Sequence, residues 1–155
     1  MAHYIDSILQ PGERVLYSTT LHGIIYAPGL ICIAIAFAGL FGTGSVPDPG
    51  LITMFFGISG LFALLGGALL FRAWFQRWTT ETDVTTLRVV HKTGFISRKT
   101  FEMSLDKVES VDVNQSVFGR VLGYGDVTIR GVGDGEKEIG MIGSPIEFRN
   151  QITTR

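Results

Sequence analysis

The side chains that most often catalyse reactions or bind metal ions are few and scattered in this 155-residue chain. Its three histidines, His3, His22 and His91, lie far apart and lack the spacing of a metal motif. Its one cysteine, Cys32, lies inside an apolar run, so no disulfide or cysteine-based metal site can form within one chain. We therefore predict no catalytic residue, no metal site, no cofactor and no small-molecule substrate. We expect His22 at a membrane boundary and His91 on the surface of a strand.

The segment at residues 119–125 contains three glycines, as phosphate-binding loops often do. It lacks the Gly-Lys-Ser/Thr ending of such loops, and it does not join a parallel strand to a helix. We interpret it as a structural turn in which Tyr124 packs on the neighbouring sheet. A small membrane enzyme acting on lipid or peptide is a further alternative, which no set of polar residues supports.

Five basic residues are candidates for binding. They are Arg72, Arg77, Lys92, Arg98 and Lys99. A lysine or arginine near an anionic membrane surface contributes about 1 kcal/mol to binding, so these side chains are suited to contact lipid headgroups or a partner. The alternative is that Arg72 and Arg77 only set the membrane topology and the other three belong to an ordinary solvated turn.

Two apolar runs must position these basic residues. They cover residues 24–42 and 51–71, and the intervening segment is rich in the Gly, Pro and Asp of tight turns. A spanning helix needs about 20 apolar residues, which each run provides. We predict a two-helix transmembrane hairpin over 23–75. Two core helices of a soluble protein are the alternative, but the remaining chain is too short to cover them.

The distribution of positive charge predicts the orientation of this hairpin. The turn between the runs has no Lys or Arg, whereas Arg72, Arg77, Arg88 and Lys92 follow the second run. Because positively charged flanks stay in the cytoplasm, we predict that both termini are cytoplasmic and that the turn lies outside.

Small residues recur every four positions in the second run, at Ser59, Ala63 and Gly67. Small side chains let helices approach closely in lipid, where packing holds helices together. One interpretation is that this stripe closes the hairpin within the chain. The other is that it docks a helix of another membrane protein, in which case Ala63→Leu would abolish co-purification.

The chain after the hairpin is predicted to be mainly β. Apolar and polar residues alternate through 101–105, 111–113 and 127–129, which is the period of half-buried strands. Glycine-containing breaks separate these segments. We predict about seven strands within residues 79–142, in a domain that covers 78–155 and ends in a helix.

Capping residues predict two short helices in this domain. Ser116 and Gly123 are suited to begin and end a single helical turn. Ser144 and Glu147 form a capping box for the final helix, which would place Phe148 against the sheet. In the predicted cytoplasmic segment 1–22, apolar residues at helical spacing indicate a short amphipathic helix. Whether that segment packs on the β domain is left open.

Several segments resemble the bacterial pleckstrin-homology (PH) domain membrane proteins of the YdbS-like group. They are LQPGERVLY at 9–17, TTETDVT at 79–85, ISR at 96–98, LDKVESV at 105–111 and QSVFGRVLGYGDV at 115–127. The last is similar to the family's signature turn almost residue for residue. The chain departs from the family at 86–88, where Thr-Leu-Arg replaces a usual Asn-Arg-Arg turn, and at 132–135.

The resemblance implies a membrane α-hairpin plus a mainly-β PH-like barrel with a C-terminal helix, in the bacterial inner membrane and without established enzymatic activity. It favours a non-catalytic, membrane-anchored interaction module at the cytoplasmic face, which contacts membrane lipids and binds protein partners or itself. An accessory subunit that stabilises a larger membrane protein complex is the alternative. The net charge of −1 argues against nucleic acid as a partner.

Overall fold

The protein folds into two compact units that follow the division in composition. The computed structural model describes residues 4–45, 47–94, 99–133 and 135–154. One unit is the apolar segment Gly23–Phe75, and the other combines Met1–His22 with Gln76–Arg155. The second unit is therefore assembled from chain on both sides of the apolar segment.

Two long helices form the apolar unit. Helix α1 spans Ala27–Gly42 after a 3₁₀ turn at Gly23–Tyr26, and helix α2 spans Pro49–Thr79, beyond the predicted end at residue 71. Asp48 caps α2, because its Oδ1 accepts a 2.7 Å hydrogen bond from the backbone N–H of Gly50.

Both helices are long and apolar enough to cross a membrane. The most apolar parts of Gly23–Gly42 and Pro49–Thr79 have mean hydropathies of 2.3 and 2.1. Only 11% of each part is buried within the protein, whereas the core helix of a soluble domain is mostly buried. This exposure contradicts the alternative in which the two helices form a soluble core.

Glycines allow the two helices to pack closely. A Cβ atom on Gly66 would lie 2.8 Å from Cγ1 of Ile33 on the facing helix. A Cβ atom on Gly39 would overlap Oγ of Ser59. A larger residue at either position would therefore push the side chains or the helices apart.

Seven antiparallel strands, counted among the described residues, form the second unit. Strands β1 to β4 span Val15–Thr19, Glu81–Thr85, Arg88–Thr93 and Lys99–Ser104, and strands β5 to β7 span Val108–Asn114, Tyr124–Gly131 and Glu136–Gly143. The first four pair in the order β1-β2-β3-β4, and the last three in the order β5-β6-β7. An isolated bridge between Leu21 and Ile142 links the two sheets. The predicted PH-like β region is confirmed.

Strand β1 comes from the N-terminal segment, before the apolar helices. It pairs with β2, which follows them, and Thr19 lies opposite Thr82. The prediction that all strands lie within residues 79–142 is wrong for β1. This strand has only five residues, and its apolar Leu16 is half-exposed, so its sequence shows little alternation of apolar and polar residues. The N-terminal segment therefore does pack on the β domain, because it supplies one strand of the barrel.

The barrel core is built from the inward faces of both sheets and from the last helix. Helices α3 and α4 span Val117–Leu122 and Pro145–Thr153. The buried core residues are Val84, Val89, Met103, Leu105, Val127, Ile129, Ile139, Ile142, Phe148 and Ile152. Phe148 is fully buried, which confirms that α4 lays its apolar face on the sheets.

Helix α3 has its predicted caps, but helix α4 does not. The Oγ of Ser116 accepts a 3.0 Å hydrogen bond from the N–H of Gly119, and Gly123 ends α3 with a φ of 76°. Ser144, before α4, has a left-handed backbone with a φ of 49° and makes no side-chain capping hydrogen bond. The predicted capping box with Glu147 is therefore wrong, because a capping side chain needs an extended backbone.

A buried ion pair ties the N-terminal segment to the start of β3. Arg88 donates two parallel hydrogen bonds to Glu13, Nε to Oε1 and Nη2 to Oε2, both of 3.1 Å. Glu13 also accepts hydrogen bonds from Oγ1 of Thr85 at 2.6 Å and from the N–H of Gln10 at 2.8 Å. Arg88 is therefore held in an internal ion pair with the N-terminal segment.

His91 lies inside the barrel and not at its surface. It is 6% exposed, lies opposite Thr82 on β2 and Phe101 on β4, and its Nδ1 is 2.8 Å from Oγ1 of Thr82. The surface prediction is wrong because the neighbouring Val90 is also buried, so both faces of β3 are covered here. Burial, helped by the positive charge of Lys137, lowers the pKa of His91 to about 4.

We expect this histidine to make the barrel less stable as the pH falls from 6.5 to 4. In that window the unfolded chain takes up a proton that the buried, neutral imidazole does not, so acid favours unfolding. The slope reaches at most about 1.4 kcal/mol per pH unit. Urea unfolding of the full chain in detergent, measured across this window, should show a slope that His91→Gln flattens. Parallel pH profiles for the two proteins would contradict the expectation.

Candidate membrane-facing surface

Both connections to the apolar helices leave from one end of the barrel. Strand β1 ends at Thr19, opposite Thr82 near the start of β2. Because β3 runs antiparallel to β2 and β4 to β3, the last residues of β3 and the first residues of β4 lie at the same end. We call this the hairpin end, and it comprises residues 19–22, 80–82, 92–94, 99–100, 115–125 and 143–146.

Hydrogen bonds place the start of α4 at this end as well. Oγ1 of Thr19 donates a 3.1 Å hydrogen bond to the carbonyl oxygen of Gly143, the last residue of β7. Gly143 also lies opposite Tyr124, the first residue of β6. Helix α3, which connects β5 to β6, therefore belongs to the hairpin end.

The predicted basic turn is at the hairpin end. Lys92 lies opposite Thr100 and Lys99 lies opposite Thr93, at the end of the β3–β4 pair. Because side chains alternate along a strand and directly opposed residues share a face, Lys92 and Lys99 project to opposite faces. Lys99 is exposed and Lys92 is partly buried. Arg98 lies outside the described residues.

The two predicted arginines lie on the exposed surface of α2. Arg72 and Arg77 are five positions apart, so they project from different sides of the helix. Arg77 is in the last turn, where a positive charge is favoured by the helix dipole. Trp74 and Trp78, on the same stretch, are about half exposed.

Helix α3 presents an apolar surface that sequence reasoning missed. Four large apolar side chains on six residues are 50–79% exposed. They are Val117, Phe118, Val121 and Leu122. Their i, i+1, i+4, i+5 spacing was visible in the sequence, but the segment was interpreted only as a structural turn.

The backbone of α3 lies directly on the strand that follows it. Gly119 is buried, and a Cβ atom there would lie 2.7 Å from the carbonyl oxygen of Tyr124. The Tyr124 ring stacks on the ring of His22, with centroids 5.4 Å apart. Tyr124 thus packs on a residue of the N-terminal segment, and α3 adjoins the last residue before the apolar segment.

A groove of about 410 Å³ opens between α3 and the start of α4. It is lined by Gln115, Arg120, Gly123, Ser144, Pro145, Ile146, Glu147 and Asn150. Arg120 and Glu147 place opposite charges on its walls, and Ile146 is half exposed. The groove therefore presents both polar and apolar surface.

The predicted small-residue stripe divides in the structure. Ser59 is buried in the hairpin, where it faces Gly39. Ala63 and Gly67 are exposed, and a Cβ atom on Gly67 would meet nothing within 4 Å. The stripe as a whole therefore does not close the hairpin, because steps of four residues turn gradually away from the contact face.

Groups for metal chemistry do not converge in the part of the chain that the structure describes. No cluster of three or more His, Cys, Asp or Glu side chains there could hold a metal ion. Cys32 is half-buried within α1.

Comparison with known families accounts for most of the chain. The family model named Bacterial PH domain matches residues 23–152. No curated protein and no solved structure matches the chain. Strand β1 lies before the matched span, yet it completes the sheet. The closer resemblance to the YdbS-like group stays a prediction. The chain belongs to the bacterial PH domain family.

Proposed function

We propose that this protein is a non-catalytic PH-domain interaction module, anchored by its two apolar helices at the cytoplasmic face of the bacterial inner membrane. Membership in the family suggests a module that binds proteins or lipids. The observation that carries the proposal is the hairpin end, where the barrel is joined to both apolar helices. A barrel attached at one end by two short connections keeps that end close to the lipid surface.

The charges of this end support membrane contact. Lys92 and Lys99 lie there, and Arg77 lies in the last turn of α2, two residues before that helix ends. Each such charge contributes about 1 kcal/mol near an anionic leaflet. The same positive flank, opposite a turn without Lys or Arg, supports cytoplasmic termini.

The groove between α3 and α4 is the surface that we assign to a partner protein or to a second copy. Its polar walls and the half-exposed Ile146 suit a peptide segment. Anchoring confines the module and a membrane-bound partner to one layer, so a weak contact becomes effective at high local concentration.

An accessory subunit of a larger membrane complex is the second candidate function. Ala63 and Gly67 favour it, because both are exposed on α2 outside the contact with α1. Small exposed residues let the helix of another membrane protein approach closely.

The native mass of the protein, extracted gently from its own membrane, tests both candidates. We expect an assembly larger than the 16.9 kDa chain. If the groove binds the partner, Ile146→Glu should release that partner. Val132→Glu, at an exposed residue of the opposite barrel end, serves as control.

If α2 is the docking surface, Ala63→Leu should release the partner. Ala68→Leu, on another side of α2, serves as control. A lone monomer in the wild type would contradict both.

A further inference from the structure

We infer that the apolar surface of α3 inserts into the lipid headgroup region as a second membrane contact, separate from the apolar helices. The surface consists of Val117, Phe118, Val121 and Leu122. This inference rests on the proposed anchoring, which brings the hairpin end to the bilayer. The inference adds that the barrel itself contacts lipid, through side chains that enter the headgroup region.

The first argument is location. Helix α3 directly precedes Tyr124, whose ring stacks on His22. His22 is covalently followed by Gly23, where the first apolar segment begins. The α3 surface is therefore held next to the point at which the chain passes from barrel to apolar helix.

The second argument is shape. Gly119 faces the barrel backbone, and a side chain at this position would collide with the carbonyl oxygen of Tyr124. The helix is held at both ends, by the Ser116 hydrogen bond and by the left-handed Gly123. With its inner face occupied by glycine, α3 directs its large apolar side chains outward on a rigid support.

The third argument is charge. Residues 115–125 contain Arg120 and no Asp or Glu, so the apolar surface is accompanied by one positive charge only. Lys99 lies at the same end of the barrel. Glu147 lies across the groove from Arg120, but the α3 segment itself carries a cation and no carboxylate. An apolar segment with this charge fits an anionic lipid surface, where the cation remains at the phosphates.

Depth-dependent fluorescence tests this inference on the full chain. In a Cys32→Ser background, we would introduce Val121→Cys, Val132→Cys or Leu64→Cys, and label each with an environment-sensitive fluorophore. Val132 is a matched control, since it is as exposed as Val121 but lies at the opposite end of the barrel. Leu64 is an exposed reference within α2. The proteins would be reconstituted into phosphatidylcholine vesicles containing phosphatidylglycerol and headgroup- or acyl-chain-quencher lipids.

We expect the label at 121 to be blue-shifted and quenched several-fold more strongly by shallow quencher lipids than the label at 132. Equal behaviour at 121 and 132, with the label at 64 quenched, would overturn the inference and leave the anchoring intact. No quenching at 64 would instead overturn the anchoring and the inference together. A blue shift at 121 without lipid quenching would show that a protein or a second copy covers α3, which also overturns the inference.

Discussion

Replacing Phe148 by alanine is expected to lower the unfolding free energy of the barrel by about 3–5 kcal/mol. The ring is fully buried between α4 and the two sheets, and it meets the ring of Tyr17 edge-on with centroids 6.4 Å apart. Removing the ring leaves a cavity in the core, because Phe148 packs in one buried cluster with side chains of both sheets. The loss approaches the whole stability of a typical small domain.

Pulse proteolysis of the full chain in detergent and urea would measure this effect. Ile146→Ala on the same helix is the matched control, because Ile146 is 50% exposed and its removal creates no cavity. Equal urea midpoints for the two variants would show that α4 does not cover the core as described. Retention of the apolar helices in the detergent-solubilised fraction should be the same for both.

Replacing Arg88 by methionine is expected to destabilise the barrel by about 3–5 kcal/mol, because it leaves the Glu13 carboxylate buried without its counter-charge. Methionine retains the apolar stem of the arginine, so most of the loss is electrostatic. The Glu13 side chain is fully buried and that of Arg88 is 17% exposed. Arg88 also donates a 2.7 Å hydrogen bond to the carbonyl oxygen of Ile8, so the N-terminal segment should loosen.

The pH dependence of stability distinguishes loss of the Glu13–Arg88 ion pair from a general destabilisation of the fold. Burial raises the pKa of Glu13, but hydrogen bonds from Thr85, Gln10 and Arg88 outweigh it, and the net pKa lies below the usual 4.5. A lowered carboxylate pKa stabilises the fold above pH 4.5, and that stability is lost as the pH falls through the folded value. In Arg88→Met the Glu13 carboxylate is buried without its counter-charge, and protonation at low pH removes that charge. The difference in unfolding free energy between this variant and the wild type should therefore become smaller as the pH falls.

An exposed arginine provides the control for the same change. Arg130 pairs with Asp112 at 3.0 Å and with Glu136 at 3.4 Å, but its side chain is 54% exposed. Exposed ion pairs contribute about 0–1 kcal/mol, so Arg130→Met should shift the urea midpoint little. A loss as large as that of Arg88→Met would show that burial does not set the strength of these pairs.

Local patterns predicted the parts of the fold that depend on local chemistry. The alternation around Met103 and Val127, the caps of α3 and the inward face of α4 are each decided by neighbouring residues, and each is confirmed. Strand β1 and the position of Arg88 depend on chain that lies beyond the apolar helices. No local pattern shows that Glu13 and Arg88 meet, because the pairing of β1 with β2 brings them together.

The candidate surface was predicted only in part for a similar reason. The basic residues were found by charge alone, but the face of each strand decides that Lys92 and Lys99 point apart. The exposed side chains of α3 have the composition of a buried turn. Their exposure in the structure shows that they face outward, and the contact of Gly119 with the backbone of Tyr124 explains why.

The pairing of β1 with β2 has a consequence for biogenesis. These neighbours in the sheet are separated in the chain by both apolar helices, so β1 leaves the ribosome long before its partner exists. Such a non-local pairing closes late, and the barrel cannot be completed until the second helix has been synthesised. Under the proposed anchoring, one folded barrel must receive both connections on the same side of the bilayer, so the intervening chain would cross it an even number of times. The barrel would then close only in correctly inserted chains, because a chain with one helix left uninserted leaves the edge of β2 unpaired.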